Sequence, residues 1–361
     1  MQELKLREIP SKKKVRLGFY PYTYARTVVM RSLLFRKDDY NKMLKMAFDE
    51  IAKFLQESHY RKEINEFATQ YSGTDLLELS LNRNLAASFK KLMKISPHEL
   101  GLLISEYAKR KDIEDLKTII RGQFTKTDDK AVLASITGAG TLDYGFLVSL
   151  SRKDSIEEIL RNNGLVGFVL FKDALKELSE KNSIAAIENV LDKFYYTKLM
   201  QFSETLPKQG RLFRNFILKE IEILNLLTLL RLKKAKLPKD SINDFIIPSS
   251  PITAKSKIQY ILGVEDIDQI SKILEAEYGN VVSHGIEEFK KTNSLIALEI
   301  GLYRHLLRQS ILFMHQNPLS VDVILGYMFA KDIEIRNLRI IIKGKQLGLG
   351  EQFIESQLIL E

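Results

Sequence analysis

The sequence predicts an all-α fold of three tandem helical bundles arranged around a pseudo-threefold axis. Three observations predict it. Apolar residues recur at helical spacing, strand alternation is hard to find, and three landmarks return in the same order at steps of 110 to 112 residues. Common helical solenoids have units of ~20–50 residues, so a period this long gives each copy a small core of its own. The copies are read as residues 1–128, 129–245 and 246–361. The first break falls in "TKTDDK". The second falls near "IIPSSPIT", whose prolines and serines suit a connection.

The first landmark is a Leu/Ile-Glu pair followed by Leu and a base. It reads Leu77-Glu78…Leu81…Arg83, Ile187-Glu188…Leu191…Lys193 and Leu298-Glu299…Leu302…Arg304. Leu298, Leu302 and Leu306 stand at i, i+4, i+8, one face of a helix. The second landmark is a proline, Pro97, Pro207 or Pro318, which ends one helical pattern before the next begins. "ISPHEL" opens that next helix, with Ser96 as N-cap, Pro97 at N1 and Glu99 at N3.

The third landmark carries a polar ladder beside an apolar stripe. Lys109, Lys219 and Lys331 correspond, as do Asp112, Glu222 and Glu334, then Asp115, Asn225 and Asn337. Arg121, Arg231 and Lys343 close the motif. Lysine ahead of the acid is the poorer order for an isolated helix, so the ladder is expected to bond a neighbouring helix, with Glu78, Glu188 and Glu299 as candidate partners. These carboxylates could be catalytic or could fix helix register within each unit. Their presence in all three units favours the structural role. Gly122 and Gly344 suit C-terminal caps, and Leu232 at the matching place implies a different ending in the middle unit.

No motif for chemistry stands out. "TGAGTLDYG" (137–145) lacks the Gly-Lys-Ser/Thr of a phosphate loop and reads as a flexible segment between units. His59, His98, His284, His305 and His315 form no His-Glu-x-x-His pattern, and there is no Gly-x-Ser-x-Gly elbow. The chain has no cysteine, which removes disulfides, thiolate metal sites and a cysteine nucleophile. No cofactor and no metal is expected.

The longest apolar runs, "GLVGFVLF" and "ILNLLTLL", fall far short of the ~20 residues of a spanning helix. With no apolar leader after Lys12–Lys14, a cytoplasmic location is expected. The net charge is +9, and residues 1–45 hold twelve Lys or Arg against four Asp or Glu. Such an excess can meet acidic protein, lipid headgroups or nucleic acid, or simply be a solvated tail. It motivates a rival reading as a basic helical nucleic-acid-binding protein. A second rival, an enzyme on a helical toroid, requires several carboxylates converging with perturbed pKa values.

"YPYTYARTVVMRSLLFRKDDYNKMLKM" (20–46), the helix used three times and the closing "YMFAKDIEIRNLRIIIKGK" resemble the C subunit family of A/V-type rotary ATPases, whose vacuolar counterpart is the d subunit. The resemblance covers essentially the whole chain. It implies a funnel of three helical lobes on the cytoplasmic face of the membrane, attached peripherally. Its implied partners are the rotor ring subunits and the central shaft, a coiled coil plus a small globular subunit. It implies no catalytic residue and no nucleic acid. Tyr24, Arg26 and Arg31 in the opening of the first unit are the candidate partner-binding residues.

Overall fold

The computed structural model describes residues 18–207, 210–238, 242, 244–248, 260–264, 267–316 and 320–360. Among them every regular element is helical. Four short helices come first: α1 (Pro21–Ser32), α2 (Lys37–Lys45), α3 (Phe48–Gln56) and α4 (Arg61–Phe67). Two long ones follow, α5 (Gly73–Ile95) and α6 (His98–Thr125). Then come α7 (Asp129–Ser135), α8 (Tyr144–Ser151), α9 (Ile156–Asn162), a 3₁₀ turn at Phe168–Phe171 and α10 (Lys172–Lys181). The second long pair is α11 (Ala185–Glu204) and α12 (Arg211–Lys234). After α13 (Ile267–Tyr278) and α14 (Asn280–Thr292), the third pair is α15 (Ile296–Gln316) and α16 (Val321–Gln346), and α17 (Glu351–Ser356) ends the order.

The six long helices touch in a closed cycle. α5 packs on α6, α6 on α11, α11 on α12, α12 on α15, α15 on α16, and α16 returns to α5. The first landmark lies on α5, α11 and α15, and the third on α6, α12 and α16. Buried leucines and isoleucines of the landmarks, such as Leu77, Ile187, Leu298, Leu116, Leu226 and Leu338, fill the space between them. Pro97 immediately precedes α6 and Pro207 separates α11 from α12. Pro318 lies outside the described residues.

Each third-landmark helix ends in the same way. The N–H of Thr127 donates to Gly122 O (2.9 Å), that of Leu237 to Leu232 O (3.1 Å) and that of Leu349 to Gly344 O (2.9 Å). The residue before each donor has positive φ: Lys126, Lys236 and Gly348. This is the six-to-one bond of a Schellman ending. The expectation that Gly122 and Gly344 are the caps, and that Leu232 makes the middle helix different, is therefore corrected. The two glycines lie inside α6 and α16, one turn before the end. Their role is close approach: a Cβ on Gly122 would stand 2.5 Å from Val132, and one on Gly344 2.7 Å from Ile354. Both neighbours lie ten residues on, in the short helices α7 and α17 that fold back over the long one.

The opening of α6 also differs from expectation by one residue. Pro97 is the N-cap, and the Ser96 hydroxyl donates backward to Leu92 O (2.7 Å), closing α5 instead of capping α6.

Gly344→Val is expected to lower stability by about 1–3 kcal/mol through overpacking against α17. Adding Ile354→Ala should recover part of that loss. Urea denaturation of the single and double variants checks both outcomes.

Candidate functional site

The polar ladder does two jobs, and neither is the bonding to Glu78, Glu188 and Glu299 that the sequence suggests. Its last member holds the returning chain. Asn225 donates to Ile247 O (2.9 Å) and accepts from Ile247 N–H (2.8 Å). Asn337 does the same with Ile359, at 2.8 and 2.9 Å. Asp115 accepts from the N–H groups of Thr137 (2.7 Å) and Gly138 (2.8 Å). In every case the partner begins 22 residues after the ladder residue.

Asp112 extends this hold in the first case. It accepts from Thr141 N–H (2.8 Å), Thr141 Oγ (2.7 Å) and Leu142 N–H (2.9 Å). The stretch "TGAG" is therefore pinned and buried, not the flexible segment expected from its glycines. The glycines serve the wrapping itself. Gly138 has φ +61°, and a Cβ on Gly140 would stand 2.0 Å from Asp112 Oδ1. The backbone surrounds an anion as a phosphate loop does, but the anion is the chain's own carboxylate. Burial pushes Asp115 up to about 7 against the pull of its hydrogen bonds.

The first-landmark glutamates meet the end of the third-landmark helix instead. Arg121 of α6 donates to Glu188 of α11 through Nε (2.6 Å) and Nη2 (2.9 Å). Arg231 of α12 pairs with Glu299 of α15, and Lys343 of α16 with Glu78 of α5 (2.8 Å). Each bridge joins a third-landmark helix to the first-landmark helix that follows it in the packing cycle: α6 to α11, α12 to α15 and α16 to α5. They tie neighbouring pairs of long helices to each other, which corrects the expectation that these glutamates fix register between the landmark helices of one range. Periodicity identifies equivalent positions, but it does not say which helix they face.

The lysines keep local partners. Lys109 pairs with Glu106 (2.7 Å), Lys219 with Glu222 (3.3 Å) and Lys331 with Glu334 (2.7 Å). The last pair is the most buried, at 1 % and 2 % exposure. Glu334 Oε1 also accepts from Tyr60 OH (2.6 Å) and lies 3.1 Å from His59 Nε2, while Oε2 accepts from Phe35 N–H (2.6 Å). Lys331 Nζ reaches Tyr60 OH (2.8 Å) as well. Burial opposes ionisation of Glu334, but Lys331 and His59 outweigh it and hold the carboxyl at about 2. Burial pulls Lys331 below the usual lysine range despite Glu334.

One position further along, the three helices α6, α12 and α16 meet. Arg110, Glu220 and Asp332 each follow the ladder lysine directly. Arg110 lies 2.7 Å from Glu220 and 3.3 Å from Asp332. Lys111 adds a contact of 2.9 Å to Asp332 and one of 2.6 Å to Glu114. Burial pushes Glu220 above the usual carboxylate range and Arg110 pulls it back. Carboxylates do converge here, as the toroidal-enzyme reading requires, but they converge on cations that neutralise them. Sequence spacing could have found this trio, since each member stands one residue after a ladder lysine.

The three candidate contact residues are not brought together. On α1 the buried residues are Thr23, Thr27 and Met30, and Thr23 Oγ donates to Ile95 O (3.0 Å). At ~100° per residue, Tyr24 and Arg31 share a face and Arg26 points elsewhere. Arg26 is exposed among Tyr22, Val29 and Leu33, which are 64 %, 61 % and 53 % exposed. Tyr24 and Arg31 are half-buried, and Arg31 lines a cleft of about 670 Å³ between α1–α2 and α15–α16. The exposed apolar stripe around Arg26 was missed, although its spacing is helical.

Among the described residues no helix is long and apolar enough to cross a membrane, and no cluster of His, Asp or Glu could hold a metal ion.

Residues 23–357 match the family model described as ATP synthase (C/AC39) subunit. The chain belongs to that family. Among curated relatives, one from Methanococcoides burtonii is 38 % identical over 342 residues, 94 % of each chain. One from Methanosarcina acetivorans is 36 % identical over 361 residues, 97 % of this chain and 95 % of the relative. One from Halobacterium salinarum is 30 % identical over 345 residues, 94 % and 97 %. Each of the three is named as the C subunit of an A-type ATP synthase. Membership in this family makes the chain a partner of other subunits of an ATP synthase.

Two outcomes follow from the buried charges. Arg110→Met leaves Glu220 and Asp332 buried without their shared cation and is expected to cost about 3–5 kcal/mol near pH 7. Without Arg110 the Glu220 carboxyl, already raised by burial, rises further above its unfolded value, so the folded state binds an extra proton in acid. The deficit should shrink as pH falls toward 4, as read from urea melts along a pH series. For Glu334→Gln the sign is set by a depressed pKa. Wild type carries the Glu334 contribution above the unfolded value of about 4.3 and loses it as pH falls toward about 2. The gap between wild type and variant should therefore be widest near neutrality and close between pH 4 and 2.

Proposed function

We propose that this chain is a non-catalytic subunit of the central stalk of an A-type rotary ATPase, coupling the membrane rotor ring to the shaft. In this reading three similar helical lobes, residues 1–128, 129–245 and 246–361, surround a pseudo-threefold axis and form a funnel. The chain that returns over each third-landmark helix lies at the head of the following range, or at the chain's end in the last. The broad face rests on the ring at the cytoplasmic side of the membrane, as a peripheral attachment. The depression takes the shaft tip, a coiled coil with a small globular subunit. Tyr24, Arg26 and Arg31 contribute to the surface that meets these partners.

The observation that carries this reading is the recurrence of one bridge at three seams: Arg121–Glu188, Arg231–Glu299 and Lys343–Glu78. A part that transmits torque must resist twisting. Close-packed helices joined end to end in a cycle supply that stiffness, and reactive groups do not. The buried carboxylates Glu220, Asp332 and Glu334 are paired with Arg110, Lys111 or Lys331 inside the body. Ring and shaft differ in symmetry, so an adaptor of three similar lobes binds at least one of them through non-equivalent contacts. The basic nucleic-acid reading gains nothing from the family.

A tagged chain purified from membranes in gentle detergent is expected to bring down the rotor ring subunits and the shaft subunits together. Recovery of a folded chain with neither would overturn the proposal.

A further inference from the structure

The cleft that Arg31 lines carries a second chemistry, in Arg36, Lys37 and an apolar floor to which the coupling proposal gives no part. Its floor is apolar, formed by Leu307 and Ile311 of α15, Ile333 of α16 and Leu360 near the chain end. Its mouth is basic, with Arg36 and Lys37 at the start of α2 beside Arg31. Arg36 and Lys37 are exposed, and among the described residues neither is ion-paired. Of the two acids that follow on α2, Asp39 accepts the Arg36 N–H at 2.9 Å and so faces the helix start, and Asp38 is exposed and does not line the cleft. Glu334 also borders the cleft, but its charge is already matched by Lys331 and its oxygens are bonded to Tyr60 and Phe35. The cleft therefore presents net positive charge over an apolar floor.

We propose that this cleft binds a single anionic lipid, with its phosphate on Arg36 and Lys37 and an acyl chain along Leu307, Ile311, Ile333 and Leu360. Charge complementarity selects the headgroup: arginine offers a phosphate two parallel donors and lysine a compact charge. The floor selects the chain, because it gains stability only from covering by hydrocarbon. The volume of about 670 Å³ is within the range of sites that enclose one small molecule. It is concave, so a flat bilayer surface does not reach its floor and a single extracted chain does. Occupancy would bridge the α1–α2 corner to α15 and α16.

The test uses the full purified chain and octyl phosphate below its micelle-forming concentration, followed by calorimetric titration. One saturable site is expected, with octyl glucoside and inorganic phosphate each at least tenfold weaker. The Arg36→Glu/Lys37→Glu variant, altered only at exposed positions, should melt like wild type and lose at least tenfold in affinity for octyl phosphate. High salt should weaken binding by screening the exposed cations. Absence of saturable binding to wild type would overturn the proposal. So would equal affinity for octyl glucoside, equal affinity for inorganic phosphate, or indifference to the double variant. None of these readouts depends on other subunits, so failure here leaves the coupling proposal standing.

Discussion

Arg110 stands against Glu220 on one neighbouring helix and Asp332 on another, and the register of the three longest helices hangs on that arrangement. A cation shared by two carboxylates is satisfied only while all three helices hold their present heights. A slip of one turn would move a charge by about 5.4 Å along its axis and strand it in a low-dielectric interior. Apolar stripes alone tolerate such slips far better, because one leucine replaces another. The node ties the heights of the three helices to one another, while the Schellman endings and fold-back helices rest on local positive-φ residues and glycine close approaches.

Above that node the polar side chains work on backbone. Asn225 and Asn337 each match a single residue's N–H and C=O, since an amide can donate and accept at once. A carboxylate only accepts. Where Asp115 occupies the same place, the returning chain has to offer two successive N–H groups, and Gly138 at positive φ turns the second one inward. Ile247 and Ile359 each meet their asparagine with one residue's N–H and C=O instead.

Much of this was legible in the sequence. The all-helical character came from apolar period alone, and spacing set Glu78, Glu188 and Glu299 at matching steps along the chain. The partners of those glutamates did not, because spacing relates positions along the chain while ion pairs depend on how separate helices face each other. Gly122 and Gly344 were misread because a glycine near a helix end has two common uses, capping and close approach, and only the position of Val132 or Ile354 separates them. "TGAG" was misread for a related reason. Glycine permits looseness, but Asp112 and Asp115 on the preceding helix remove it. The constant interval of 22 residues to the held backbone was present in the sequence, yet a backbone partner has no side-chain identity to reveal it.

The closed cycle of helices also says something about how the chain is made. His59 and Tyr60 meet Lys331 and Glu334 across 271 to 275 positions. The first four helices therefore emerge from the ribosome long before the surface that completes them exists. Contacts this distant in sequence are slow to form and leave apolar faces uncovered meanwhile. Synthesis must run through α16 before closure, and a chain interrupted earlier would leave α1–α4 without the helix that shelters them.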